Sequence, residues 1–82
     1  MYYYVYILRS IKYSDQTYTG FTSDLKKRIK KHNEGGSPHT SKFIPWQIEN
    51  AISFINKAKA LEFEKYLKSH SGRAFANKHF SQ

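Results

Sequence analysis

Three ionisable side chains of this sequence stand where a helix would be expected to be apolar. Arg28 and His32 share a stripe with Leu25 and Ile29, while Lys26, Lys27, Lys30 and Lys31 fall on the opposite side. Glu64 occupies the same kind of position further on, inside the stripe Ala60, Phe63, Glu64 and Leu67, with Lys59, Glu62 and Lys65 pointing away. Turning an ionisable group toward a sheet costs desolvation unless an opposite charge offsets it. Two readings follow. Arg28 and Glu64 form a half-buried ion pair, or they border a cleft where a guanidinium and a carboxylate converge on a phosphate.

Certain elements must hold these groups. Tyr2 to Leu8 is apolar or aromatic on both faces, which predicts a central strand covered on two sides. Arg9 to Gln16 is a polar hairpin connection, and the β-branched and aromatic stretch Thr17 to Thr22 pairs back as a second strand. Ser23 is the expected cap of a first helix, with Asp24 at the positive end of its dipole. That helix runs to about Glu34, where Gly35 and Gly36 stop it. Ser37 to Pro45 is a polar loop. Trp46 to Phe54 alternates, placing Trp46, Ile48, Ile52 and Phe54 on one dry face that Asn50 breaks. Asn56 caps a second helix from Lys57 to about Ser69; Gly72 interrupts, and Arg73 to Phe80 forms a short third helix. The prediction is an α/β (α+β) fold of order ββαβαα, with a three-stranded antiparallel sheet flanked by helices.

The 82 residues suffice for one domain, 1–82, and an aromatic fraction of 17% supplies a core built largely from Tyr and Phe. With no cysteine, a disulfide framework and a thiolate zinc site are both excluded. A reducing cytoplasm is the expected compartment. No signal peptide and no apolar run of membrane-spanning length is read, so no membrane partner is expected. Fourteen Lys and Arg against six acidic residues give a net charge of +8, which should attract polyanions, nucleic acid first. Its plainer reading is a solvated surface. Lys26, Lys27, Lys30, Lys31, Lys42, Lys65, Lys68 and Arg73 are the candidates for backbone phosphates, with no base reading implied. The loop with His39, Thr40, Ser41 and Lys42 either reaches a groove or is merely solvated.

Placed in order, these residues resemble a stand-alone GIY-YIG nuclease domain. Tyr4-Val5-Tyr6 is similar to the first half-motif and Tyr18-Thr19-Gly20 to the second. The run from Tyr18 to Arg28 resembles the family's stretch up to its arginine, His32 follows at a familiar spacing, and Ala60 to Glu64 is similar to the segment ending in the metal-binding glutamate. Tyr4 replaces the first glycine and Thr19 an isoleucine. Phe21 stands where repair members often carry lysine, so one basic contributor is absent. Asn77 is the nearest match to an asparagine that many members place after the glutamate.

The resemblance implies a metal-dependent endonuclease that hydrolyses phosphodiester bonds in DNA, including structured or repair-related DNA. Glu64 would hold one Mg²⁺ or Mn²⁺, since a lone carboxylate suits an ion that keeps several waters. Arg28 would grip the scissile phosphate. Tyr6 or Tyr18 would orient or deprotonate the water, which requires Arg28, His32 or the metal to depress a phenol pKa of about 10. His32 shares the base role, relays the proton, or is structural. Tyr2, Tyr3 and Tyr13 are assigned to packing. Gly20 has no chemical role and lets chain and helix approach closely. The alternative is a non-catalytic nucleic-acid-binding module. In either case a protein partner could supply substrate specificity, and DNA binding would associate the protein with the nucleoid.

Overall fold

In the computed structural model, which describes residues 1–80, strand β1 (Tyr3–Ser10) runs between β2 (Thr17–Thr22) and β3 (Trp46–Phe54). The last two residues of the 1–82 domain lie outside the described residues. Both strand pairings are antiparallel. Helices α1 (Leu25–Asn33), α2 (Lys57–Leu67) and α3 (His70–His79) complete the order ββαβαα, the α+β fold that the sequence pattern predicts. Among the described residues no helix is long and apolar enough to cross a membrane.

Because β1 is central, it is covered on both faces and feeds two cores. Val5 and Ile7 pack with Ala60 and Leu67, with Phe63 and Phe75 around them, on the side of α2 and α3. Tyr6, Leu8 and Trp46 pack with Leu25, Ile29 and Tyr18 on the side of α1. A strand buried on both faces has no reason to alternate in polarity, and this one does not.

β3 departs from the simple alternation. Ile7 lies opposite Asn50 but Leu8 lies opposite Ile48, so Glu49 is an extra residue in the ladder. An inserted residue exchanges the faces of everything beyond it, because strand side chains alternate. Trp46 and Ile48 therefore share the α1 side, while Asn50, Ile52 and Phe54 share the other. The single dry stripe expected from the sequence is divided between two cores. Asn50 breaks that stripe because it sits at the register shift, where its amide lies 3.0 Å from the Phe80 carbonyl. The bulged Glu49 reaches across to ion-pair with Arg9.

The helix ends also refine the expectations. Asp24, not Ser23, caps α1: its side chain accepts the Lys27 amide at 3.1 Å, and its own amide donates to Thr22 Oγ1. At the other end, Gly35 at φ 79° and Gly36 return their amides to His32 and Lys31, the paired bonds of a Schellman motif. α2 stops at Leu67 and α3 begins at His70, with Ser69 accepting the Gly72 amide. Gly72 is not an interruption. A Cβ there would lie 1.7 Å from the Tyr66 carbonyl oxygen, so it marks where α3 crosses the end of α2. Of the three tyrosines assigned to packing, only Tyr3 packs against the core, stacked on Phe21; Tyr2 is 53% and Tyr13 44% exposed.

Candidate active site

Tyr6 lies directly opposite Gly20 in the β1–β2 ladder. Its ring lies so close to Gly20 that a Cβ there would be 2.4 Å from the phenol oxygen. Gly20 thus makes room for Tyr6 itself, a more specific role than close chain approach. The phenol ends 3.0 Å from Nε2 of His32, which α1 presents one turn after Arg28. Tyr18, two residues before Gly20 and on the same face of β2, closes the group. Its ring centroid is 6.4 Å from that of Tyr6 and 5.1 Å from that of His32.

Electrostatics ties Arg28 and Glu64 to the same spot. Burial pushes the Tyr6 phenol up to about 12. The Arg28 guanidinium opposes that shift by charge and hydrogen bonding, while Tyr18 and Glu64 add to it by charge. For Tyr6, burial works against the depressed value that a base would need: at 1% exposure, lost hydration outweighs the neighbouring cation. His32 is held below its ordinary 6.5, first by burial and then by Arg28 and Lys31. Its other nitrogen, Nδ1, lies 2.8 Å from Thr40 Oγ1.

Glu64 approaches from α2. Its ion-pair partner is Lys68, 3.2 Å away and one turn on, rather than Arg28. The Lys68 ammonium also stands 5.9 Å from the Tyr18 ring centroid, bridging carboxylate and phenol. Lys68 thus belongs to the site more closely than a general phosphate contact would. No group of three or more His, Cys, Asp or Glu among the described residues is arranged to hold a metal. The donor set for a cation is therefore one half-buried carboxylate.

The other candidates spread outward. Lys26, Lys27, Lys30 and Lys31 are exposed on the outer side of α1, and Lys42, Lys65 and Arg73 are exposed elsewhere. Asn77 lines a cleft of about 480 Å³ together with Tyr18, Lys68 and Arg73, so α3 brings it to the border of the site. The residue that sequence reasoning missed is Thr40, assigned to a polar loop yet fully buried. The loop is anchored through it: Trp46 Nε1 donates to the Thr40 carbonyl at 2.9 Å. Asn33 at the end of α1 makes two further bonds to the Trp46 backbone. No periodicity in the sequence marks Thr40, because one inward residue in an irregular loop repeats nothing.

Comparison with known proteins identifies the family. The model of the GIY-YIG catalytic domain matches residues 2–79. The chain belongs to the GIY-YIG family. A UPF0213 protein of Haloquadratum walsbyi is 36% identical over 72 residues, which cover 85% of this chain and 78% of that protein. A structure-specific endonuclease subunit SLX1 homolog of Drosophila mojavensis is 40% identical over 72 residues, covering 77% of this chain but 24% of the fly protein. This GIY-YIG chain therefore spans about a quarter of the length of the SLX1 relatives it matches. Among solved structures, the solution NMR structure of a UPF0213 protein from Bacillus halodurans superposes with a TM-score of 0.57. It is 32% identical and covers 95% of this chain and 84% of that one.

Proposed function

We propose that this GIY-YIG domain is a metal-dependent endonuclease that hydrolyses phosphodiester bonds in DNA. The observation that carries the reading is the meeting of two tyrosines, a histidine, an arginine and a carboxylate at the β2 edge of the sheet. Each residue type has a task in that reaction. Arg28 holds nonbridging phosphate oxygens, a contact that strengthens as charge builds in the transition state. Tyr18, the less buried phenol, orients the attacking water. Tyr6 is too weak an acid to stand as a phenolate, so it exchanges protons: its own passes to His32 Nε2 as it takes the one leaving the water. Burial and nearby cations keep His32 neutral and able to accept.

One half-buried carboxylate fits a hard cation that keeps its waters, so Glu64 would hold Mg²⁺ or Mn²⁺. Such an ion supplies Lewis-acid stabilisation of the charge on the phosphate and the leaving oxygen. The exposed lysines of α1, with Lys42, Lys65 and Arg73, draw the nucleic acid in by charge, with no reading of bases. The SLX1 relatives are structure-specific endonuclease subunits by name, and a partner protein supplying substrate choice suits a domain this small.

One observation favours a second reading. Lys68 already neutralises Glu64, which is what a module that binds nucleic acid without cutting would tolerate. Incubating labelled duplex, single-stranded, flapped and branched DNA, plus RNA, with Mg²⁺, Mn²⁺ or a chelator separates the two. Cutting that needs the cation supports the nuclease. Salt-sensitive binding with no cutting on any substrate supports the module.

A further inference from the structure

We propose that Thr40 is a positioning residue that fixes the proton of His32 on Nδ1, leaving Nε2 free to accept from Tyr6. The proposal rests on the nuclease reading for its consequence in catalysis, but not for the tautomer itself.

The argument is a count of donors and acceptors. Tyr6 Oη lies 3.0 Å from His32 Nε2, and His32 Nδ1 lies 2.8 Å from Thr40 Oγ1. A neutral imidazole has one N–H, so one nitrogen donates and the other accepts. Arg28, beside the Tyr6 phenol, can only donate. The Thr40 hydroxyl has the Ser37 carbonyl, 3.5 Å off within the same turn, for its own proton, so its oxygen accepts from Nδ1 and Nε2 is left to accept the Tyr6 proton. Nδ1 therefore carries the histidine proton and donates it to Thr40. No buried side-chain nitrogen or oxygen among the described residues lacks a partner, as a closed chain of this kind requires.

Thr40 is well suited to this role. It is 0% exposed, so no water substitutes for its hydroxyl. Its backbone is held independently, by the Trp46 indole on its carbonyl and by its own amide on Ser37. The hydroxyl can therefore be removed with the backbone anchor left in place. Charged and titratable groups around the imidazole are Arg28 and Lys31 from α1, Tyr6 from β1 and Tyr18 from β2. None is an acceptor that would replace Thr40 at Nδ1 unless a tyrosine turns away from its present contacts. A bond to the second nitrogen is a general means of setting a histidine's tautomer and orientation.

The test uses the ¹⁵N-labelled full chain as wild type, Thr40→Val and Thr40→Ser. His32 is assigned by the loss of its signals in His32→Gln; the other three histidines, at 39, 70 and 79, are exposed. Long-range ¹H–¹⁵N spectra at pH 7.5 read the tautomer, and single-turnover cleavage with Mn²⁺ reads the consequence. Wild type and Thr40→Ser should show the Nδ1–H form. Thr40→Val should lose it and cut on the order of 10- to 100-fold more slowly, with DNA affinity unchanged. Thr40→Ser guards against misfolding as the cause, because it restores the hydroxyl in a smaller side chain. An Nε2–H wild type, or a Thr40→Val variant that keeps the wild-type tautomer, overturns the proposal. A tautomer that changes while cleavage does not would overturn the catalytic role. A wild type with the Nδ1–H form that cuts nothing would remove the nuclease reading and leave the tautomer assignment standing.

Discussion

Replacing Gly20 with alanine probes how tightly the site is built. The new Cβ would lie 2.4 Å from the Tyr6 hydroxyl oxygen and 2.5 Å from the ring carbon bearing it. Neither atom is the loose end of a flexible chain, since the ring is 1% exposed and its hydroxyl is bonded to His32. Carbon contacts are comfortable only from about 3.5 Å, so the ring must retreat by about 1 Å. That retreat separates Tyr6 from His32. Overpacking costs about 1–3 kcal/mol, and losing one buried hydrogen bond adds about 1 kcal/mol. The expected loss is therefore about 2–4 kcal/mol. In urea, where a small domain has a slope of about 1 kcal/mol/M, the circular-dichroism midpoint should fall by at least about 2 M. Gly35→Ala is the control: it strains a backbone at φ 79° with a Cβ that would meet Ile44 at 3.8 Å rather than Tyr6, and it should cost about 1 kcal/mol. A Gly20→Ala protein within about 0.5 kcal/mol of wild type would refute the claim that Tyr6 has no room to move.

Three further outcomes follow from the same geometry. Spectrophotometric titration should show one tyrosine that ionises only near pH 12, and Tyr6→Phe should remove that step. The Tyr6 contribution to stability is present below pH 10 and is lost between pH 10 and about 12, because only the unfolded chain ionises there. His32 behaves in the opposite sense. Its folded value is depressed, so its neutral form contributes stability above pH 6.5, and that contribution is lost as pH falls from 6.5 through the folded value. Urea melts at pH 5 and pH 7.5 should differ less in His32→Gln than in wild type. Finally, Lys68→Ala frees the half-buried Glu64 carboxylate from its ion pair and should lower the Mn²⁺ concentration for half-maximal cleavage by about 2- to 5-fold. A higher requirement would mean that Lys68 assists the metal site rather than competing with it.

The features legible in the sequence were those with a period. Helical stripes placed Arg28, His32 and Glu64 toward the sheet, and the structure brings all three to one edge of it. Two-sided burial of β1 and the order of elements followed from runs of apolar and β-branched residues. Features without a period were misread. The Glu49 bulge is a single insertion that looks like ordinary alternation until its pairing partner is known, so Trp46 and Phe54 were assigned to one face. Thr40 is one inward residue in an irregular loop. The partner of Glu64 is Lys68 because a residue one turn away on the same helix is always within reach, whereas Arg28 lies across the sheet edge. The direction of the Tyr6 shift depended on burial, which composition does not disclose.

The central claim is that this cluster breaks phosphodiester bonds. Its most direct test is single-turnover cleavage of the best DNA substrate in Mg²⁺ or Mn²⁺, with wild type beside Glu64→Ala and Arg28→Ala, each verified as folded. Metal-dependent cutting that both substitutions abolish, with DNA binding retained in Glu64→Ala, is the predicted result. Cutting that persists in folded Glu64→Ala at the wild-type rate would contradict the assignment of the site.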